Sequence, residues 1–339
     1  MVITELMKES TSVWIMQYLQ DAITGAEAFI KSHATTTLQS KLLETYLSEL
    51  RPQADNGGGF IPSVHLPFLV YAGVTGDDKQ AVPLAVALFL LDLGIDLLDN
   101  IADNELLPEW QEYNSSVLQL AATEFAFCLP HLALTKLDAS PTCLLTMHQM
   151  IVKGLLKACA GQEQDLELQG SSNPSIEDIQ ASVRGKSGER WGMFAALGAQ
   201  FGGASLETVE AYADMGRSLG MTLQFTSDCA DIFSTAHSRD LANGTRTLPI
   251  GLHLQQLTGT ERADFLDLLA QAKVDQKAQE EVRASLLRVG GLRRSALFIE
   301  YFRQQTQQSL EKANPLEPAM SRFKQIISDV CVLSLEVKK

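Results

Sequence analysis

Basic residues are scarce in this chain. Lys and Arg total 27 against 41 Asp and Glu, for a formal net charge of −14. A surface of that sign excludes a partner held through a phosphate backbone, so no nucleic acid is expected. Cysteine is also sparse. Cys128, Cys143, Cys159, Cys229 and Cys331 are scattered, odd in number and free of Cys-x-x-Cys spacing. That pattern fits reduced, mostly buried thiols in a cytoplasmic protein. The N-terminal MVITELMKESTSVW lacks the basic head and apolar core of a signal peptide. The longest apolar run, AVPLAVALFLLDLGIDLL, includes a proline near its start and is broken by Asp92 and Asp96. It reads as a buried core helix, and no membrane span is expected. Period-two alternation, internal repeats and low-complexity linkers are all missing, which removes strands, solenoids and a jointed architecture.

Helical periodicity fills the space that remains. Apolar residues recur at three and four over 12–33, 36–50, 63–75, 79–103, 114–136, 141–168, 176–203, 206–235, 248–258, 261–272, 276–289 and 292–313. Turn chemistry separates these stretches at 55–59, 76–78, 171–174 and 242–244, and Ser175 before an acidic turn reads as an N-cap. The 339 residues, 45% hydrophobic and 20% charged, therefore predict an all-α fold: one large helical bundle spanning 1–339.

Two acidic faces stand out. Asp92, Asp96, Asp99 and Asp103 follow one another at four, three and four residues, so all four carboxylates share one side of a helix. The residues between them are mainly Leu, Ile and Ala, with no Lys or Arg interleaved. Like charges along an apolar stripe repel one another and call for cations, above all Mg²⁺ with its preference for oxygen ligands. A second face carries Gln224, Asp228 and Asp231, again at four and three; Asp214 lies further back and reads as solvated. Opposed across the centre of a bundle, two such faces would hold metal ions that bind an anionic group, and a diphosphate is the natural candidate. The few basic residues then matter. Lys186, with Arg184 and Arg190 nearby, and Arg239 with Arg246 are the groups that could close over phosphate oxygens.

These residues also carry a family resemblance. Asp99-Asn100-Ile101-Ala102-Asp103 resembles the DDxxD motif of the polyprenyl synthetase family, the trans-isoprenyl diphosphate synthases of the class I isoprenoid fold, with Asn100 in its second place. Residues 224–231 resemble the second motif, QxxDDxxD, with Ser227 replacing its first Asp. Gly161-Gln162-Glu163-Gln164-Asp165-Leu166 is similar to the family's GQxxDL helix, and Lys186-Ser187 to its Lys-Thr pair. Arg239-Asp240-Leu241 and Thr247-Leu248-Pro249 resemble KDL and TLP. The matches run in family order from about residue 55 to 313. The resemblance implies an isoprenoid synthase-type bundle with a central cavity. It further implies a homodimer, an allylic prenyl diphosphate as substrate and three Mg²⁺ ions per site with substrate bound.

Carried over residue by residue, the resemblance assigns metal binding to Asp99, Asp103, Asp228 and Asp231. It assigns diphosphate binding to Lys186, Arg239, Arg246 and Gln224, with Lys186 and Arg239 acting in catalysis alongside Asp99 and Asp103. Asp96, Asn100 and Ser227 become auxiliary, with Asp92 too deep or too far round. The hydrocarbon pocket is expected at Phe89, Gly94, Ile95, Gln162, Asp165 and Phe225. Gly94 and Ile95 sit where the family sets chain length; with no aromatic there, a long prenyl chain is expected to run deep between the helices unless Phe89 or Leu91 caps it.

The departures shape the functional expectation. Where the family's GGKxxRP supplies basic residues for isopentenyl diphosphate, this chain has Gly57-Gly58-Gly59-Phe60-Ile61-Pro62, and Asn104 to Ser116 contains no basic residue. The sequence therefore ranks first a terpene synthase-like enzyme that ionises a C15 or C20 allylic diphosphate and then cyclises or quenches the cation. A prenyltransferase comes second, using isopentenyl diphosphate or a peptide or aromatic acceptor. A non-catalytic partner subunit of a hetero-oligomeric prenyl synthase comes third.

Overall fold

Short polar side chains set the helix starts. Ser140, Ser175 and Ser205 each accept a hydrogen bond from the backbone N–H three residues on, at 3.2, 2.9 and 3.2 Å, satisfying donors that have no partner within the helix. The cap expected at Ser175 is among them. The computed structural model describes residues 13–55, 59–103 and 106–330, and every regular element among them is helical. Gly57, Gly58 and Asn104 lie outside the described residues, as does Cys331.

In chain order the helices are α1 (Val13–His33), α2 (Thr37–Asp55), α3 (Pro62–Thr75), α4 (Val82–Ala102), α5 (Ser115–Thr123), α6 (Leu129–Leu134), α7 (Pro141–Leu168) and α8 (Ile176–Val183). They continue as α9 (Arg190–Phe201), α10 (Leu206–Ser234), α11 (Arg239–Asn243), α12 (Leu248–Leu254), α13 (Gly259–Gln271), α14 (Gln276–Arg288), α15 (Gly291–Ala313) and α16 (Ala319–Val330).

The main core lies among α1, α3, α4, α9 and α10. Phe68, Phe89, Phe125, Phe194 and Tyr212 are fully buried there, and each such side chain contributes about 1.5–3 kcal/mol of hydrophobic stabilisation. Tyr18 of α1 stacks on Phe68 of α3 with centroids 4.3 Å apart. The segment Lys79–Ala102 is long and apolar enough to cross a membrane, but 72% of its most apolar window is buried in the protein. It is the core helix the sequence predicts. Ser115–Leu134 passes the same length and composition test with 50% buried.

Two expected helices are interrupted by wider turns. A π-helical turn at Glu124–Cys128 separates α5 from α6, and a second at Arg184–Glu189 separates α8 from α9. Pro130 supplies the reason for the first, since it has no N–H to donate to the carbonyl four residues back. At the second, α7 presses so closely that a Cβ on Gly161 would lie 2.2 Å from the backbone nitrogen of Lys186. The short α11 and the C-terminal α16 are additions to the sequence reading. Helix α16 follows Pro315 and Pro318 and seats Phe323, Ile326 and Ile327 in the core.

Candidate active site

Helices α4 and α10 turn their acidic faces toward one cavity of about 760 Å³, closed at the side by α7, α8 and the π turn before α9. All four aspartates of the first stripe line it, Asp92 included, so Asp92 is neither too deep nor too far round to face the cavity. The four are not equivalent. Lys186 reaches from the π turn to Asp99 at 3.2 Å and to Asp165 of α7 at 3.3 Å. One turn away, Arg190 reaches Asp96 at 3.2 Å and Asp92 at 3.5 Å, and the Tyr46 hydroxyl donates to Asp96 at 3.0 Å. The stripe is thus split between two cations carried by the same segment.

Burial opposes the charge on Lys186, but Asp99, Asp165 and Asp103 outweigh it and hold the ammonium above its ordinary value. Arg190 follows the same pattern, with Asp92, Asp96 and Asp99 outweighing burial. Asp92, 7% exposed, is pushed up to about 6 by burial, against the pull of Arg190. Sequence reasoning noted Arg190 only as a neighbour of Lys186 and missed Tyr46. Arg190 does stand four residues after Lys186, the spacing of Asp92 and Asp96, but nothing local says that the two helices meet, and nothing near Tyr46 marks it.

Across the cavity, Ser187 donates to the Gln224 carbonyl at 2.8 Å, and the Gln224 amide donates to Asp228 at 2.8 Å. Burial pushes the Asp228 carboxyl up to about 7; the Gln224 bond works against this and the charge on Asp165 adds to it. Asp231 accepts from the Ser238 hydroxyl and from the backbone N–H groups of Arg239 and Asp240, at 3.2 and 3.1 Å for the latter two. It therefore caps α11 as well as facing the cavity. Asp240, quoted within its motif but given no role from sequence, also lines the cavity. Burial, followed by the charges of Asp228, Asp231 and Asp165, raises its carboxyl well above the usual range.

The remaining expected residues divide. Asp103, Asn100, Ser227, Arg239 and Asp165 line the cavity. So does Arg246, which also donates to the carbonyls of Ser171 at 2.7 Å and Gly244 at 3.1 Å, the first of these bonds tying its loop to the one after α7. Phe89 is buried in the main core and Phe225 packs on Phe302 at 5.7 Å, so neither ring lines the described cavity. Gln162 is set back from it with both amide atoms buried and without a hydrogen-bond partner. Gly94 opens no channel. A Cβ there would lie 2.2 Å from the backbone nitrogen of Ala126, so the space left by the missing side chain is occupied by the α5–α6 turn. Ile95 packs against the core beside it.

The donor set fits a hard divalent cation. Carboxylates of Asp99, Asp103, Asp165, Asp228, Asp231 and Asp240 surround the space beside one lysine, and the raised carboxyls of Asp228 and Asp240 mark an excess of unneutralised oxygens. Among the described residues no three converge on one point closely enough to hold an ion unaided. A ligand-bound ion there would need oxygens from an anionic molecule between the two faces to complete its donor set.

Residues 69–286 match the family model for polyprenyl synthetases. A geranylgeranyl diphosphate synthase of Methanosarcina mazei is 23% identical over 280 residues, 77% of this chain and 83% of that protein. One from Mycobacterium tuberculosis is 27% identical over 238 residues, covering 66% and 67%. Among solved structures, geranylgeranyl pyrophosphate synthetase from Pyrococcus horikoshii superposes with a TM-score of 0.80 at 18% identity, covering 94% of this chain and 97% of its own. Polyprenyl synthase from Caulobacter crescentus, complexed with calcium and isoprenyl diphosphate, gives 0.76 at 16% identity and covers 96% and 98%.

Proposed function

Because the chain belongs to the polyprenyl synthetase family, we propose that it is a Mg²⁺-dependent prenyltransferase that ionises an allylic prenyl diphosphate and passes the prenyl group to an acceptor. The observation that carries the reading is Lys186, fixed between Asp99 and Asp165 in a cavity whose far wall holds Asp228 and Asp231. The relatives named above are diphosphate synthases, which supports transfer ahead of the cyclisation ranked first from sequence.

When bound, Mg²⁺ supplies the charge that neutralises the leaving diphosphate, held by Asp99 and Asp103 on one side and by Asp228 and Asp231 on the other, with Asp240 beside them. The count of three ions belongs to the same proposal. Lys186 donates charge-assisted hydrogen bonds to the diphosphate as negative charge builds on it, and Arg239 at the rim adds a second donor. Asp165 holds the Lys186 ammonium in place. Gln224, itself oriented by Ser187, fixes one oxygen of Asp228. Phe60, Trp191 and Ile179 give the cavity apolar walls that keep bulk water from the allylic cation.

Ionisation followed by cyclisation or quenching is the second reading. It is favoured by the lack of any Lys or Arg in residues 52–62 and 104–116. We place the enzyme in the cytoplasm, where Cys128, Cys143, Cys159 and Cys229 would stay reduced as they are here. We also assign it a homodimer through α5 and α7, which expose Leu120, Leu145 and Leu156 by 60–68%. The deciding experiment gives the pure protein Mg²⁺ and geranyl, farnesyl or geranylgeranyl diphosphate, with and without a co-substrate, and analyses diphosphate and prenyl products. Mg²⁺-dependent diphosphate release is expected; its absence with every chain length would sink the reading.

A further inference from the structure

Lys186 and Arg190 line the cavity, and the carboxylate that stands between them in sequence does not. Glu189 closes the π turn, and its side chain is only 12% exposed. Its partners come from three directions. Arg217 of α10 holds it in a fork, with Nε donating to one oxygen at 2.8 Å and Nη2 to the other at 3.3 Å. Lys157 of α7 donates at 3.0 Å, and Arg184, at the start of the same turn, at 3.5 Å. Burial opposes the charge on Glu189, but Arg217 and Lys157 outweigh it and hold the carboxyl below its ordinary value.

The contact with Arg184 ties the cluster to the shape of the backbone. Five steps of an α-helix carry two side chains about 140° apart, too far round to meet. The wider turn brings residues five apart onto one side, so this pair depends on the extra residue. Glycines let both neighbouring helices approach the turn. A Cβ on Gly161 of α7 would lie 2.2 Å from the Lys186 nitrogen, and one on Gly220 of α10 would lie 2.8 Å from the Ser187 carbonyl oxygen. Such contacts limit distance without choosing a direction. A two-pronged guanidinium–carboxylate bond does choose one, so Glu189 and Arg217 set how far the turn is rotated about its axis.

That rotation decides where Lys186 points. Inside the cavity the ammonium is steadied by Asp99 and Asp165, but Asp99 is also a carboxylate that a metal ion would claim. The supports of Glu189 lie elsewhere. Lys157 and Arg217 are outside the cavity lining, and no ligand in the cavity competes for them. Arg217 is itself tied to Asp214 on its own helix, so the fork is braced from behind.

Resting on the prenyltransferase reading, we propose that Glu189 is a positioning residue for it: braced by Arg217 and Lys157, it fixes the rotation of the π turn and so aims the Lys186 ammonium at the departing diphosphate. Glu189 touches no substrate and acts through Lys186. Removing its charge therefore slows ionisation only as far as Lys186 is displaced. A displacement of about 1 Å is enough to cost on the order of 10²-fold in rate.

A double-mutant cycle on the full chain tests this. Glu189→Gln keeps the shape and removes the charge, and Lys186→Ala removes the group it positions. Single-turnover diphosphate release is measured with Mg²⁺ and whichever of geranyl, farnesyl or geranylgeranyl diphosphate wild type turns over fastest. Wild type, both single variants and the double are compared at a temperature where melting curves show all four folded. Glu189→Gln alone is expected to slow release by about 10- to 100-fold. Where Lys186 is already gone, the same substitution is expected to change the rate by less than about twofold. Calorimetric titration with inorganic diphosphate and Mg²⁺ needs no turnover and is expected to agree, with weaker binding in Glu189→Gln and no further weakening in the double variant. Arg217→Gln breaks the same fork from α10 and is the second probe should Glu189→Gln fold poorly. An equal fold-loss in both backgrounds marks a structural role alone and overturns the inference, as does an unchanged rate in the folded single variant. No diphosphate release from wild type overturns the functional reading, and this inference with it.

Discussion

Lys186 and Asp228 carry opposite faces of one problem, that of keeping charges apart from water without a substrate to pair them. Lys186 has two carboxylates within 3.3 Å, so removing its ammonium leaves the carboxylates of Asp99 and Asp165 uncompensated as well as the diphosphate. Lys186→Ala is expected to slow diphosphate release by about 10²–10³-fold, in the range seen when a positioned electrostatic donor is lost; single-turnover release with saturating Mg²⁺ measures it. Asp228 sits the other way round. Its folded-state value of about 7, raised first by burial, lies above the unfolded value, so the folded chain binds the extra proton. The resulting destabilisation is absent well below the unfolded value and grows as pH rises toward 7. In the metal-free protein, Asp228→Asn is therefore expected to melt a few degrees above wild type at pH 8, with the gap closing as pH falls toward 4. Saturating Mg²⁺ and inorganic diphosphate should narrow the gap from the other side by stabilising wild type more. A gap independent of pH would show that Asp228 is not ionising at a cost.

At the scale of elements, the site depends on close helix crossings bought with glycine. Gly161 of α7 meets Gly185 and the backbone of Lys186 so tightly that an added Cβ would lie 2.2 Å from a backbone nitrogen and 2.4–2.5 Å from Gly185. That crossing sets Lys186 beside Asp165. Gly161→Ala is expected to destabilise the fold by about 1–3 kcal/mol through overpacking and to weaken binding of the allylic diphosphate further than the melting shift alone accounts for. Calorimetry beside an analogue titration separates the two effects. Much at this scale was readable in advance. Spacings of three and four placed Asp99 and Asp103 on one face of α4 and Asp228 and Asp231 on one face of α10, because helical pitch converts sequence distance directly into angle. What stayed hidden depended on pairs distant in sequence. Nothing near Arg190 announces that Asp92 and Asp96 will meet it, and nothing near Gly94 reveals that Ala126 fills the space it leaves. Arg246 was legible as a loop cation, but its bond to the Ser171 carbonyl joins it to a loop 75 residues away. The π turns escaped notice for a different reason. A wider turn preserves hydrophobic periodicity on either side and displaces it by one residue, so 114–136 and 176–203 read as continuous helices.

The whole molecule leaves one flank unfinished. Leu120 is 68% exposed, Leu156 67% and Leu145 60%, along helices whose other faces are in the core. Leu156→Glu combined with Leu120→Glu is expected to convert a dimer into monomers, read as a halved mass by light scattering. A wild-type monomer at tens of micromolar would refute the assigned interface. The π turn at Arg184–Glu189 has a consequence of its own for how this chain can change over generations. It is a helix with one residue more than an α-helical ladder needs. Deleting a single codon there would let α8 and α9 fuse into a regular helix with their faces nearly in phase, because the wider turn spreads one extra residue over about the same arc. Lys186 lies inside the turn and Arg190 directly after it, so what the deletion would change is their spacing against Asp99 and Asp96. Point substitutions can therefore drift through this segment one at a time, whereas its length is heritable only as a unit.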